Sequence, residues 1–94
     1  MGAASVMDIL ERERFLKDLL EELSLGNISI GEAVHSLRKE VTGLRQDQFA
    51  RMCNISLRAL RQIEHDEGNP TIQTLNNIFK LFGMKMGVIK SSPN

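Results

Sequence analysis

Apolar residues recur at intervals of three and four between Val6 and Leu23, at Ile9, Leu16, Leu19, Leu20 and Leu23, with charged residues between them. That is the spacing of a helix with one apolar face, and Gly26-Asn27 is its stop signal. Ser29 and Glu32 stand in the S-x-x-E capping-box arrangement, which predicts a second helix from Ile30. It carries Ala33, Val34, Leu37 and Val41 and closes near Thr42-Gly43, where glycine takes the left-handed conformation. A third helix, from about Arg45 to Cys53, buries Phe49 and Ala50 and breaks at Asn54, which tolerates positive φ. Ser56, a favoured N-cap, opens a fourth helix running to about Asp66 with Ala59, Leu60 and Ile63 inward. Asp66 to Pro70 has turn chemistry. Thr71 caps a last helix whose stripe is Ile72, Leu75, Ile78, Phe79 and Phe82, ended by Gly83. The period then changes: Met84, Met86 and Val88 alternate with Lys85, Gly87 and Ile89, predicting a short strand from Met84 to Lys90, with a frayed tail as the alternative.

A chain of 94 residues, 41% hydrophobic and 26% charged, has the size and composition of one globular domain. No apolar run approaches the roughly 18 residues needed to span a bilayer, so no membrane role is expected. The single cysteine, Cys53, cannot form an internal disulfide and is expected to be a small buried hydrophobe. Together with an acidic, mixed amino-terminal stretch, it predicts a cytoplasmic protein without an export signal.

Enzymatic readings find little support. Gly26 and Gly31 have the G-x-x-x-x-G spacing of a phosphate loop, but Glu32 and Ala33 follow where Lys and Ser or Thr are required. His35 and His65 are far apart, there is no H-E-x-x-H and no cysteine pair, so no metal, cofactor or catalytic residue is assigned. The formal net charge is zero, which excludes coating of nucleic acid by bulk positive charge. The charge is uneven, however. Between Ser36 and Gln62 six bases (Arg38, Lys39, Arg45, Arg51, Arg58 and Arg61) face only Glu40 and Asp47, whereas residues 1–24 carry six acids against Arg12, Arg14 and Lys17. A solvated, salt-bridged surface explains part of this.

A motif decides it. The third and fourth helices are joined by Asn54-Ile55, with small Ala50 in the first and apolar Leu60 and Ile63 in the second, which lets them cross closely with Ile55 plugging the corner. This is a helix-turn-helix pattern, and the outward face of its second helix offers Leu57, Arg58, Arg61 and Gln62. From about Leu37 to Gly83 the chain resembles the lambda-repressor-like, or XRE, helix-turn-helix family. The resemblance is carried by Gly43-Leu44, Gln46, Phe49-Ala50, Ile55-Ser56, Leu60, Ile63-Glu64 and Asn69-Pro70-Thr71. It implies an all-α bundle of four or five helices that binds operator DNA as a dimer, here with an extra amino-terminal amphipathic helix and a short carboxy-terminal β-strand. The usual turn glycine is replaced by Asn54. The first-helix arginine is matched by Arg38 only if the loop Val41 to Gly43 is one residue longer than common. The resemblance then implies a structural ion pair between Arg38 and Glu64. HipB-type antitoxins belong to the same family, and the segment IFKLFGMKMGVIK is similar to their ending, a strand that pairs with its copy in a second subunit.

Three regions are expected: residues 1–27, the extra helix; 28–83, the DNA-binding domain; and 84–94, a dimerisation strand and tail. Base contacts are expected from Ser56, Leu57, Arg58, Arg61 and Gln62, since arginine matches guanine, glutamine adenine and leucine a thymine methyl. Leu57 otherwise packs on Cys53 or a dimer neighbour, and Arg61 is otherwise a phosphate contact. Phosphate contacts are expected from Arg45, Gln46, His65, Asn69 and Thr71, where helix N-termini and short polar side chains hold anions; Gln46 is alternatively a local cap and His65 a solvated side chain. Met84, Met86 and Val88 are expected to face the last helices in the dimer. The function expected is a dimeric repressor reading a palindromic operator in the major groove. The alternative is an antitoxin-type module whose acidic first helix, through Leu16, Leu19, Leu20 and Leu23, neutralises a partner toxin.

Overall fold

The computed structural model describes residues 7–91. Asp8 opens α1 (Ile9–Leu25) by accepting from the Glu11 N–H at 2.8 Å, while the Glu11 carboxylate accepts from the Asp8 N–H at 3.2 Å. This reciprocal box satisfies two otherwise orphaned donors, and the expected start at Val6 lies outside the described residues. The second box forms as expected: Ser29 Oγ accepts from Glu32 N–H at 3.0 Å and Glu32 accepts from Ser29 N–H at 2.8 Å. The helix it opens, α2 (Ile30–Ser36), continues as a π turn over Leu37–Thr42, closed by Gly43 at φ +67°, whose N–H reaches the Arg38 carbonyl at 2.8 Å. A bond from residue i to i+5 takes in one residue more than an α turn. The additional residue expected in the Val41–Gly43 loop is thereby wound into the end of the helix.

Three short helices follow: α3 (Gln46–Cys53), α4 (Leu57–Glu64) and α5 (Ile72–Phe79), the last ending in a 3₁₀ turn, Lys80–Phe82. Asn54 takes the left-handed conformation at φ 59° that closes α3, and Ile55 N–H bonds back to the Ala50 carbonyl at 3.0 Å. The corner between α3 and α4 is thus made by asparagine in place of glycine. The core joins α2 to α5: Val34, Leu37, Phe49, Cys53, Leu60 and Ile78 are fully buried, and the Phe49 and Phe82 rings lie 6.3 Å apart. Burying each such side chain contributes about 1.5–3 kcal/mol before chain entropy is charged against it. From α1 only Leu19 is buried, with Phe15, Leu16 and Leu23 packed partly against the core. Of its expected stripe Leu16, Leu19 and Leu23 therefore dock on their own domain, whereas Ile9 and Leu20 remain exposed, as do Leu10 and Leu25.

The fold is an all-α bundle, but the strand expected at Met84–Lys90 does not form; no strand occurs among the described residues. A strand is a ladder between two segments, and among the described residues no strand stands beside this segment. Its alternation persists in part. Met84 and Met86 pack against the core, whereas Val88, expected to face the last helix, is 99% exposed. No helix among the described residues is long and apolar enough to cross a membrane.

Candidate nucleic-acid interface

The sequence of α4 determines which side of it is free. Leu60 and Ile63 turn into the core, Leu57 and Gln62 are half-buried at the flanks, and Arg58 and Arg61 are exposed between them. Ala50, only 2% exposed, stands in α3 where a larger side chain would hold the two helices apart. Ser56 caps α4 by accepting from the Ala59 N–H at 3.0 Å, which leaves its own hydroxyl proton at the exposed helix start.

Two helix N-termini flank this face. At α5, Thr71 Oγ1 accepts from the Thr74 N–H at 3.0 Å, and Thr71, Asn69 and Gln62 line one cleft of about 220 Å³. At α3, Arg45 is the N-cap residue and is exposed; its guanidinium bonds Asp47 at 3.1 and 3.3 Å and holds that carboxyl below its usual value. An exposed pair of this kind is weak and readily exchanged for a phosphate. Gln46 does not cap its own helix, since Gln48 is the side chain that reaches back, to Arg45 N–H at 3.0 Å. Gln46 Nε2 instead donates to Glu64 Oε1 at 3.2 Å. His65 lies apart from the Gln62–Thr71 cleft, in a groove with Ile28, Glu32, His35, Ser36 and Glu64.

Glu64 is the polar hub under this surface. Its side chain is 3% exposed and accepts from Arg38 Nε at 2.7 Å and Nη2 at 2.9 Å, besides Gln46, with His35 Nδ1 at 3.0 Å. Arg38 Nη1 also donates to the Leu44 carbonyl at 3.0 Å. Burial pushes the Glu64 carboxyl up, but the hydrogen bonds from Arg38 and His35 and the Arg38 charge outweigh it and hold the group below its ordinary value. The ion pair implied for Arg38 and Glu64 is present, and together with the His35 and Gln46 bonds to the same carboxylate it ties α2, the π turn and the start of α3 to the end of α4.

The helix-turn-helix family model matches residues 36–89, 54 of the 94 positions. The chain belongs to the XRE-type helix-turn-helix family. No curated protein and no solved structure matches it. Membership makes this XRE-type protein a DNA-binding transcription regulator. The matched span includes the π turn, α3 to α5 and the tail to Ile89, and leaves out α1 and α2 apart from Ser36.

Some participants gave no sequence signal that could be read alone. His35 joins the Glu64 cluster from α2, whose capping box and apolar stripe give no sign of that partner. Asp66, at φ 56°, accepts from Ser29 Oγ at 2.6 Å and Gly31 N–H at 2.9 Å, tying the turn after α4 to the start of α2. The run Asp66-Glu67-Gly68-Asn69-Pro70 announced a turn but not that partner. Among the described residues no three His, Cys, Asp or Glu side chains gather as a metal site.

Proposed function

We propose that this XRE-type regulator is a dimeric, sequence-specific repressor that lays α4 in the major groove of a palindromic operator. The observation that carries the reading is the open face of α4, bracketed by the N-termini of α3 and α5. Arg58 and Arg61 are its free cations and Gln62 stands at its edge. Ser56, Leu57, Arg58, Arg61 and Gln62 read base edges, where a well-made bidentate contact discriminates by about 1–3 kcal/mol. Arg45, Gln46, Asn69 and Thr71 fix register on phosphates through helix N-termini and short donors, with His65 at the far end of α4. Glu64 keeps the Gln46 amide in place and leaves its Oε1 and backbone N–H for the DNA side. Dimerisation through residues 84–94 gives the two-fold axis that a palindrome mirrors. Residues 28–83 form the reading head and residues 1–27 an added helix.

A second reading is favoured by one observation: Ile9 and Leu10 of α1 are 76% and 77% exposed, on an acidic helix outside the family match. In that reading α1 docks a partner such as a toxin and the helix-turn-helix is secondary; Leu16, Leu19 and Leu23, expected to make that contact, are taken up by the protein's own core, which leaves Leu20 with Ile9 and Leu10 for it. Footprinting on the DNA upstream of the protein's own gene tests the main proposal. Protection of a palindrome is the expected result; protection no different from that on random duplex, with a partner protein retained on α1, would leave the second reading alone.

A further inference from the structure

Three donors converge on one oxygen beneath the candidate interface. Glu64 Oε1 stands 2.9 Å from Arg38 Nη2, 3.0 Å from His35 Nδ1 and 3.2 Å from Gln46 Nε2, while Oε2 accepts from Arg38 Nε at 2.7 Å. A carboxylate oxygen offers two lone-pair sites, so Oε1 holds one donor more than it seats well. The Arg38 bond is carried by a permanent charge, whereas the Gln46 bond is donated by a neutral amide and is the longest of the three. Gln46 is therefore the first to leave when a competing donor gains strength.

His35 is the donor that can change. Its side chain is 53% exposed, so it exchanges protons with solvent. An ionised carboxylate only accepts, so the neutral ring already carries its proton on Nδ1 and a second proton adds at Nε2. The bond to Glu64 then becomes charge-assisted, roughly twice as strong as a neutral one. Around the ring stand Glu64 at the end of α4 and His65 just after it, and Glu32 one turn earlier on α2. Arg38 of the π turn, followed by Lys39, lies 3.3 Å away through Nη2, and α3 brings the neutral Gln46 to the same carboxylate. Glu64 is held below its ordinary value, so it stays ionised through the range in which histidines ordinarily titrate, about pH 5 to 8.

We propose that His35 is a positioning residue that links proton uptake to DNA contact: its imidazolium takes over Glu64 Oε1 and releases the Gln46 amide from the orientation in which it meets phosphate. This rests on the reading of Gln46 as a phosphate contact and specifies how that contact is regulated. The direction of the effect is diagnostic. A positive charge added to a protein attracts a polyanion, so protonation by itself tightens binding, whereas the loss of a positioned donor weakens it.

Two measurements on the full chain carrying His65→Gln, which removes the other imidazole, test this. In the free protein the Gln46 side-chain amide resonances are expected to move toward those of a free glutamine between about pH 8 and about pH 5.5, along the titration curve of the His35 ring protons. With His35→Gln added they should stay level. On a random-sequence duplex at constant ionic strength, affinity is expected to fall about three- to tenfold over that range, the scale of one hydrogen bond. His35→Gln should make the profile level, and Gln46→Ala should turn it into a slight rise, since only the added charge remains. Gln46 resonances that ignore the His35 titration overturn the proposal whatever the duplex shows. If they follow it and affinity does not fall, the link to DNA is overturned. The Gln46→Ala arm at high pH then separates the causes: binding equal to its parent shows that Gln46 is no phosphate contact, and weaker binding shows that His35 does not control it.

Discussion

Glu64 shows how much of this candidate interface rests on a side chain that is only 3% exposed. Arg38 is 7% exposed, and removing its one carboxylate partner among the described residues leaves a buried cation uncompensated, so Glu64→Ala is expected to cost about 3–5 kcal/mol in urea unfolding. The carboxyls of Glu64 and Asp66 are both held below their ordinary values, so the native state binds fewer protons than the unfolded one. Their stabilisation is complete above the unfolded carboxylate range, about pH 4, and is lost as the pH falls through the depressed native values. Glu64→Gln should therefore flatten the acid limb of stability against pH; an unchanged limb would assign it to other carboxylates. Gly31 carries a different constraint. A Cβ there would stand 2.5 Å from the Ile63 carbonyl and 2.7 Å from Asp66 Oδ1, so Gly31→Ala must push α2 off the end of α4. The expected cost is about 1–3 kcal/mol, and a thermal midpoint equal to wild type would contradict the tight crossing. The sequence displayed this glycine only as half of a rejected phosphate-loop spacing, because nothing local reports which backbone passes overhead.

At the scale of elements, local chemistry was legible where it is self-contained. The caps at Ser29, Ser56 and Thr71, the left-handed Asn54 and the stripes of α2 to α5 all involve neighbours within a few positions, and they stand where the pattern placed them except for Ile72, expected inward at the start of α5 but 66% exposed there. What depends on distant partners was not legible: the Asp66 tie to Ser29 and Gly31 and the Asn76–Met86 bond join residues brought together by folding, and a strand needs a second extended segment that the described residues do not supply. Of the candidate site, α4 and its flanking N-termini were readable, whereas the lodging of Gln46 against Glu64 was not. The two classes of contact should separate in binding. Arg58→Ala is expected to lose about 1–3 kcal/mol on the best site and to relax preference at one base pair, checked by titrating single-base variants. Gln46→Ala is expected to weaken all sequences by similar factors, checked on random duplex; unchanged binding there would remove Gln46 from the interface.

At the scale of the whole molecule, zero net charge conceals a division of labour. Acids concentrate on α1 and bases around the helix-turn-helix, which steers a polyanion toward one side of the bundle without non-specific coating. A single α4 spans too few base pairs for a specific site, and two of them need a fixed separation, roughly 34 Å for one duplex turn. Removal of residues 84–94 is therefore expected to yield a monomer at micromolar concentration with intact helix content and sharply weakened binding to a palindrome. A truncated chain that stays dimeric would move the interface to α5 or α1. The most direct measurement for the central claim is selection of binding sites from a pool of randomised duplexes by the full chain. The expected product is a palindromic consensus with half-site centres about 10–10.5 base pairs apart, degenerate at one position per half-site when the selection is repeated with Arg58→Ala. Retention of duplex with no enriched sequence, or an identical consensus from Arg58→Ala, would contradict the assignment of α4 as the reading helix.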